Sequence, residues 1–379
     1  MSSQFSNADA RFMARAIRLA ERGRYTTQPN PIVGCVMVKD GEVIAEGWHK
    51  KAGEPHAERN ALAMAGEAAA GATAYVTLEP CSHYGRTPPC SLGLIEAGVA
   101  RVVAAMTDPN PQVGGKGIQM MRDAGIQVDV GLMDQEASTL NRGFYRRMAG
   151  GLPWVRCKLA MSMDGRTAMA SGESKWITGP DARADVQLMR AASAVVLTGI
   201  GTVLADDPSM NVRLGVDELH GVESEEYLRQ PIRAVLDSRL QMPINAKMLG
   251  LDGRTLIFCA QDADEGKAEA LQDAGAEVIR VDSTEHGLDL LKVMQSLSAM
   301  DCNEVMIEAG ATLSGAALQA GIVDELVIYQ AAHLMGDAAR GLVHLPGLEK
   351  MSQRVQMKFT DVRKIGDDIR VTLGASEKV

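Results

Sequence analysis

The chain has 379 residues, too many for one ordinary core at about 100–200 residues per domain, so two or three domains are expected. Apolar residues make up 46% and charged residues 23%, ordinary for a globular protein, while aromatics are only 4%, so Ala, Val, Ile, Leu and 22 Met must build the cores. The net charge of −9, from 39 basic and 48 acidic residues, comes without a basic run; it argues against a nucleic-acid partner but not against a small phosphorylated ligand.

In chain order, MSSQFSNADARF at the start has no apolar signal core. Asp9–Arg22 then reads as an amphipathic helix, with Phe12, Met13, Ala16, Ile17 and Ala20 on one face and Gly23 as its end signal. Ile32–Val38 and Glu42–Glu46 flank Asp40-Gly41 as a β-hairpin. Pro55 opens a helix running to about Gly66. Ala74–Leu78 is a strand, Ser91–Ala97 a helix and Val99–Met106 a strand, and a further helix, strand and helix reach Met148. This alternation implies a sheet covered by helices.

Gly150-Gly151-Leu152-Pro153 breaks the pattern, and the domain boundary is expected there, giving domains 1–149 and 150–379. The second part opens on an apolar strand, Trp154–Met161, and alternates again. Strands are predicted at 194–199, 232–237, 254–259, 276–281, 304–308 and 324–333, and helices at 180–192, 265–274, 286–299 and 312–320. The charged stretch Gly215–Gln230 reads as a surface excursion. The longest uncharged run near the middle, Ala191–Ala205, is too short and too polar for a bilayer span of about 20 apolar residues. The expectation is a cytoplasmic protein, with Cys35, Cys157, Cys259 and Cys302 as inert core residues.

The other two cysteines lie in a polar, proline-stiffened loop, LEPCSHYGRTPPC, Leu78–Cys90. Upstream, PHAERNA places His56 and Glu58 at the start of the helix begun by Pro55. Residues two apart on a helix point about 200° apart, so they share a target only if it lies end-on, off the helix N-terminus. A catalytic zinc takes three nitrogen or sulfur ligands and keeps a fourth position open. His56, Cys81 and Cys90 supply such a set, leaving Glu58 as a general base and proton shuttle. The pattern follows the zinc-deaminase signature H-x-E then P-C-x-x-C, except that this chain has C-x8-C. A structural zinc loop would close the fourth position with protein, and His83 is the only nearby candidate.

In the second part, Gly199 and Gly201 form a lone G-x-G, weak as a dinucleotide signal. Glu308-Ala-Gly-Ala-Thr-Leu-Ser-Gly is stronger: a strand enters a glycine turn and then a helix whose free N–H groups can cradle phosphate. Arg190 and Arg213 have the forked guanidinium that suits a phosphate, or an ion pair.

TQPNPIVGCVMVKDG, AGEPHAE and YVTLEPCSHYGRTPPC, followed by KLAMSMDGRTA, SGESKWITGP, TVLADDPSMNVR and IEAGATLSGAALQAGIVDEL, resemble the bifunctional riboflavin-biosynthesis deaminase/reductase family through nearly the whole chain. The long C-x8-C loop is usual there. The resemblance implies an α/β protein: a cytidine-deaminase-like αβα domain followed by a dihydrofolate-reductase-like domain. The first would deaminate a diaminopyrimidinone ribosylamine 5′-phosphate; the second would reduce the ribosyl chain to ribityl with NADPH. It implies Zn2+ on His56, Cys81 and Cys90, with Glu58 catalytic, and substrate contacts from Asn30, His49, His83 and Arg86. For NADPH it implies Ala160, Trp176, Thr202, Asp206 and Ser238. It adds the turn of Gly310, Ala311, Thr312, Leu313, Ser314, Gly315 and Ala316 to that site. Reductase substrate contacts would be Ser174, Arg190, Met210, Arg213 and Glu308, with Asp206 and Glu308 as candidate proton donors. Ala311 replaces a proline common in the family's turn, which should loosen the turn without removing its donors. Small-residue apolar helices and the deaminase fold point to a homodimer. Two rivals are a nucleic-acid deaminase, which would need a basic surface, and a zinc-stabilised nucleotide sensor without turnover.

Overall fold

A computed structural model describes residues 5–84, 88–111 and 113–375. The chain divides into two compact units: residues 1–152 with 215–229, and residues 153–214 with 230–379. The excursion at 215–229 thus packs with the first unit.

The first unit runs α1 (Asn7–Ala20), β1 (Gly34–Lys39), β2 (Glu42–Trp48), α2 (Ala57–Ala65), β3 (Thr73–Val76), α3 (Cys90–Glu96), β4 (Arg101–Ala104), α4 (Lys116–Asp123), β5 (Gln127–Val130), α5 (Asp134–Leu140) and α6 (Arg142–Gly150). Its sheet has the order β2-β1-β3-β4-β5. β1 is antiparallel to both neighbours, and β3, β4 and β5 are parallel. The strands carry apolar residues buried on both faces, Val36, Met37, Val102 and Val103 among them, so helices must cover both sides.

α1 begins two residues before the expected Asp9, because Ser6 caps it: Ser6 Oγ accepts from the Asp9 N–H at 3.1 Å, and the Asp9 carboxylate accepts from the Ser6 N–H at 2.8 Å. The other Asp9 oxygen accepts from Tyr75 Oη and Arg101 Nη1, each at 2.7 Å. Burial opposes ionisation of Asp9, but the Ser6 N–H, Tyr75 and Arg101 outweigh it and hold the carboxyl well below its usual range. This knot ties α1 to β3 and β4.

The second unit runs β6 (Trp154–Ser162), β7 (Arg166–Ala168), α7 (Pro180–Ala192), β8 (Val195–Gly199), α8 (Ile200–Asp206), β9 (Ile232–Leu236), β10 (Thr255–Ala260), α9 (Glu265–Asp273), β11 (Glu277–Val281), β12 (Ser283–Thr284), β13 (Gly287–Leu288), α10 (Leu290–Ala299), β14 (Glu304–Glu308), α11 (Ala311–Gln319), β15 (Glu325–Ala331), β16 (Arg340–Gly341), β17 (Met357–Ile365) and β18 (Asp368–Ala375). Nine strands form one sheet, β11-β10-β9-β8-β14-β6-β15-β18-β17. It is parallel from β11 to β15 and antiparallel over the last two pairs.

The helix expected at 286–299 starts only at Leu290. The Asp289 carboxylate accepts from the N–H groups of Leu291 and Lys292, and Gly287, at φ +119°, turns the β12–β13 hairpin ahead of it. α8 and the β17–β18 hairpin have no counterpart among the predicted elements. β17 escapes notice because six of its nine residues are exposed and none is buried, leaving no alternation to read; its Phe359 and Val362 stand open to solvent.

No helix among the described residues is long and apolar enough to cross a membrane.

Candidate functional site

Two sites emerge, one in each unit. In the first, His56 is the N-cap of α2, Cys81 follows β3, and Cys90 is the first residue of α3. Two helix starts and a strand end therefore converge. His56 Nδ1 lies 3.6 Å from Cys81 Sγ and 3.4 Å from Cys90 Sγ. An ion bound tetrahedrally at about 2.3 Å from sulfur and 2.0 Å from nitrogen spans edges of about 3.5 Å, so the donors already sit at zinc spacing. All three ligand atoms lie within 4.8 Å of one another, and among the described residues the cluster contains no fourth donor. His83, the one candidate for closing it, is exposed and lies outside the cluster. The Cys90 N–H donates to Cys81 Sγ at 3.3 Å. Cys81 is the more acidic of the two thiols: its hydrogen bond with Cys90 holds it down at about 4 despite burial, while the same bond and burial push Cys90 up.

Glu58, in the first turn of α2, is 3% exposed and meets the Cys90 side chain. Burial first, then the Cys81 charge, push its carboxyl up to about 7. A group so placed can both accept and release a proton near neutrality.

Beside the cluster, the His49 ring stands edge-on to His56 with centroids 5.2 Å apart. Its Nδ1 is 3.2 Å from the Pro55 carbonyl and its Nε2 is 3.0 Å from Asn30 Nδ2. A carbonyl only accepts, so Nδ1 carries the proton and Nε2 accepts from the Asn30 amide. Burial lowers the His49 pKa to about 4 and keeps the ring neutral. Asn30 and His49 are thus brought to the cluster, while Arg86 lies outside the described residues. Sequence reasoning passed over Glu79, two residues before Cys81. Its buried carboxylate accepts from the N–H groups of Asp108, Gly115, Gly117 and Ile118, which ties the chain ahead of the Cys81 loop to the start of α4.

In the second unit a cleft of about 1380 Å³ opens at the carboxyl ends of β6, β8, β9 and β14. It lies where the chain, having laid β8 to β11 outward, returns to insert β14 beside β8, the switch point at which open α/β sheets bind ligands. Small-molecule pockets are typically about 300–1,000 Å³, so there is room for a dinucleotide and part of a second ligand. Of the expected residues, Ala160, Ser174, Thr202, Asp206, Ser238 and Glu308 line the cleft, as do Gly310, Ala311, Thr312, Leu313 and Ala316. α11 starts at Ala311 with Gly310 as N-cap, so its first N–H groups face the cleft. A proline at Ala311 would lack one of these donors.

Other expected contacts fall elsewhere. Ser314 and Gly315 turn into the core, since α11 buries that face. A Cβ at Gly315 would lie 1.9 Å from the His344 carbonyl oxygen, so the glycine serves close packing. Trp176 does not line the cleft and is 70% exposed, with the Arg183 guanidinium 4.7 Å from its ring. Met210 is buried, Arg213 is exposed, and neither lines the cleft.

Arg190 is held from both sides: Nη2 donates to Glu308 Oε2 at 2.8 Å, Nε donates to Oε1, and Nη1 donates to the Asn211 carbonyl at 3.2 Å. Burial would raise the Glu308 pKa, but the Arg190 charge and fork, with Lys158 behind them, keep it lowered. Lys158, not singled out in the sequence, lines the cleft with its ammonium 5.7 Å from the Tyr329 ring. Burial lowers its pKa, and Glu308 opposes that shift. Asp206 pairs with Lys175 at 3.0 Å.

Comparison with known proteins matches both units. Residues 6–106 match the family "Cytidine and deoxycytidylate deaminase zinc-binding region", and residues 153–371 match "RibD C-terminal domain". Riboflavin biosynthesis protein RibD of Haemophilus influenzae is 52% identical over 97% of this chain and 98% of its own, and that of Escherichia coli 52% over 95% and 98%. Among solved structures, Acinetobacter baumannii RibD superposes with a TM-score of 0.90 at 47% identity, covering 98% of this chain and 99% of that one. A Thermotoga maritima diaminohydroxyphosphoribosylaminopyrimidine deaminase/5-amino-6-(5-phosphoribosylamino)uracil reductase superposes at 0.83 with 32% identity, covering 97% and 99%.

Proposed function

We infer the roles of individual residues from one premise: the chain belongs to the RibD family, and is a zinc-binding deaminase joined to a reductase with a dihydrofolate-reductase-like fold, acting in riboflavin biosynthesis. The deaminase is assigned to residues 1–149 and the NADPH-dependent reductase to residues 150–379, with the 215–229 segment contributed by the second stretch. The substrate of the first is taken to be the diaminopyrimidinone ribosylamine phosphate, and that of the second its deaminated product.

The observation that carries the deaminase reading is the three-donor cluster at zinc spacing with a buried carboxyl beside it. His56, Cys81 and Cys90 would hold zinc, which would supply the Lewis acidity that makes water nucleophilic near pH 7. Glu58 takes a proton from the attacking water and returns it to the departing amino group. The C–N bond breaks, the ring carbon gains oxygen, and ammonia leaves. His49 orients Asn30, whose amide N–H is committed to the imidazole, so its carbonyl oxygen is free to accept from the pyrimidine. His83 and Arg86 are assigned to the phosphoribosyl part.

In the reductase, the cleft would hold NADPH, which would supply the hydride for reduction at C1′ of the sugar, leaving the protein to deliver the accompanying proton to nitrogen. The α11 N-terminus receives the pyrophosphate, and Ala160, Thr202, Asp206 and Ser238 wall the dinucleotide. Glu308 is held ionised by Arg190, so it does not store the proton, and the Asp206 carboxylate is engaged by Lys175. Lys158 is the proton donor in this reading: a buried ammonium beside Glu308, with burial lowering its pKa, releases a proton readily. Ser174, Met210 and Arg213 complete the substrate side.

Chelation tests the assignment. Removing zinc should abolish ammonia release and leave NADPH oxidation on supplied deaminated intermediate intact; ammonia release that survives full demetallation defeats it. A homodimer is proposed on the exposed Phe359 and Val362 of the edge strand β17, and a cytoplasmic location on six cysteines that are held as thiols rather than disulfides. Sedimentation at micromolar concentration and cell fractionation check these; a monomer, or a chain outside the cytoplasm, refutes the respective point.

A further inference from the structure

The segment 215–229 belongs in sequence to the reductase stretch but packs in the deaminase unit. We propose that it is a brace which positions the deaminase substrate-binding residues His49 and Asn30, so that the deaminase site is incomplete without it. This rests on the assignment of the zinc site to deamination.

The segment is anchored by two buried apolar side chains, Leu219 and Val222. From there it grips the loop that joins β2 to His56 at both ends. Glu223 accepts from Lys50 Nζ at 2.8 Å and from Arg22 Nη2 at 3.1 Å. Tyr227 Oη donates to Glu54 Oε2 at 3.1 Å, and Lys51 Nζ donates to the Glu226 carbonyl at 2.9 Å. Directly flanking these gripped ends are His49, which precedes Lys50 and holds Asn30, and Pro55, which follows Glu54 and whose carbonyl fixes the His49 tautomer.

A second line of contact runs through backbone. Gly221 has φ +84°, and a Cβ there would stand 2.2 Å from the Arg22 carbonyl oxygen. The next residue, Gly23, lies so close to His49 that its Cβ would be 2.8 Å from the His49 carbonyl oxygen. Arg22 itself stacks on Trp48, guanidinium to ring centroid 3.7 Å. The segment, the turn after α1 and His49 thus form a continuous stack. Half-exposed ion pairs each contribute little net stability, so the hold depends on the buried anchors and the close backbone packing, with the ion pairs setting register. Charge fits the arrangement: the cationic Arg22, Lys50 and Lys51 meet a segment carrying Glu223, Glu225 and Glu226.

The base of the segment makes a clean test practicable. Gln230 bonds both the N–H and the carbonyl of Val212, at 2.9 and 3.0 Å, so the two ends are pinned together and a short link can replace what lies between. In the full chain, residues 215–229 are replaced by a short Gly-Ser link; Glu223→Ala with Tyr227→Phe is the milder second variant. Ammonia release, zinc content and reduction of supplied deaminated intermediate are measured on each. The brace predicts a KM for ammonia release raised about tenfold in the link variant, kcat within about threefold, and a smaller KM rise in the double variant. Zinc content and reduction should match the parent. A KM within about twofold of the parent for both variants overturns the proposal. So does loss of zinc, or a parallel fall of both activities, since either marks a general structural role. Absence of ammonia release in the parent chain would instead defeat the deaminase assignment.

Discussion

The Glu58→Gln enzyme is expected to lose ammonia release by at least about 10²–10⁴-fold, the usual contribution of a positioned proton-transfer group. Gln matches the shape of Glu58 but can neither take a proton from water nor deliver one. Glu58 is 3% exposed, so bulk water cannot readily stand in for it. His56, Cys81 and Cys90 are untouched, so the purified variant should carry as much zinc as the parent. Reduction of supplied deaminated intermediate should be unchanged, because the cleft in the second unit contains no residue of this site. Ammonia release by glutamate dehydrogenase coupling, alongside metal analysis, checks all three. A zinc-stabilised sensor without turnover has no ammonia to lose, and such a protein would keep its ligand response in this variant.

Arg190→Ala should do the reverse. The change strips a bidentate partner from the half-buried Glu308 and leaves a carboxylate with Lys158 and Arg213 as its remaining cationic support. Breaking one side of a fully buried pair typically costs about 3–5 kcal/mol; with both side chains 13% exposed the loss should be smaller, but the second unit should still unfold at lower denaturant. Below that transition NADPH oxidation should fall by about 100-fold or more, since 1.4 kcal/mol already makes a factor of ten and the pair sets the geometry around Lys158. Ammonia release should persist at the parent rate. Denaturation followed unit by unit, with both assays run on the folded variant, separates the two effects. If ammonia release and reduction fall together in a folded protein, the two sites are not independent.

The deaminase centre was legible because its chemistry is local. His56 and Glu58 occupy one helix turn, and Cys81 and Cys90 bracket a single loop, so short motifs carry the whole donor set. The reductase site was legible only in part. The glycine turn before α11 announced an anion end, but it did not reveal that Ser314 and Gly315 face inward; that depends on which side of α11 meets the His344 backbone. The Arg190–Glu308 pair joins residues 118 positions apart, and no pattern within either segment points to the other. Lys158 looks like one of two charges, with Arg156, in an otherwise apolar strand until β14 and β15 flank β6 on either side. The β17–β18 hairpin went unread because its outer strand has no buried face, and residues 215–229 read only as a surface excursion because their apolar anchors are just two, set among charges.

Zinc K-edge X-ray absorption on the purified full chain tests the central claim most directly. The expected shell is two sulfurs at about 2.3 Å and nitrogen or oxygen scatterers at about 2.0 Å, falling to one sulfur in Cys90→Ser. A protein without bound zinc, or a shell of three or four sulfurs, would contradict it.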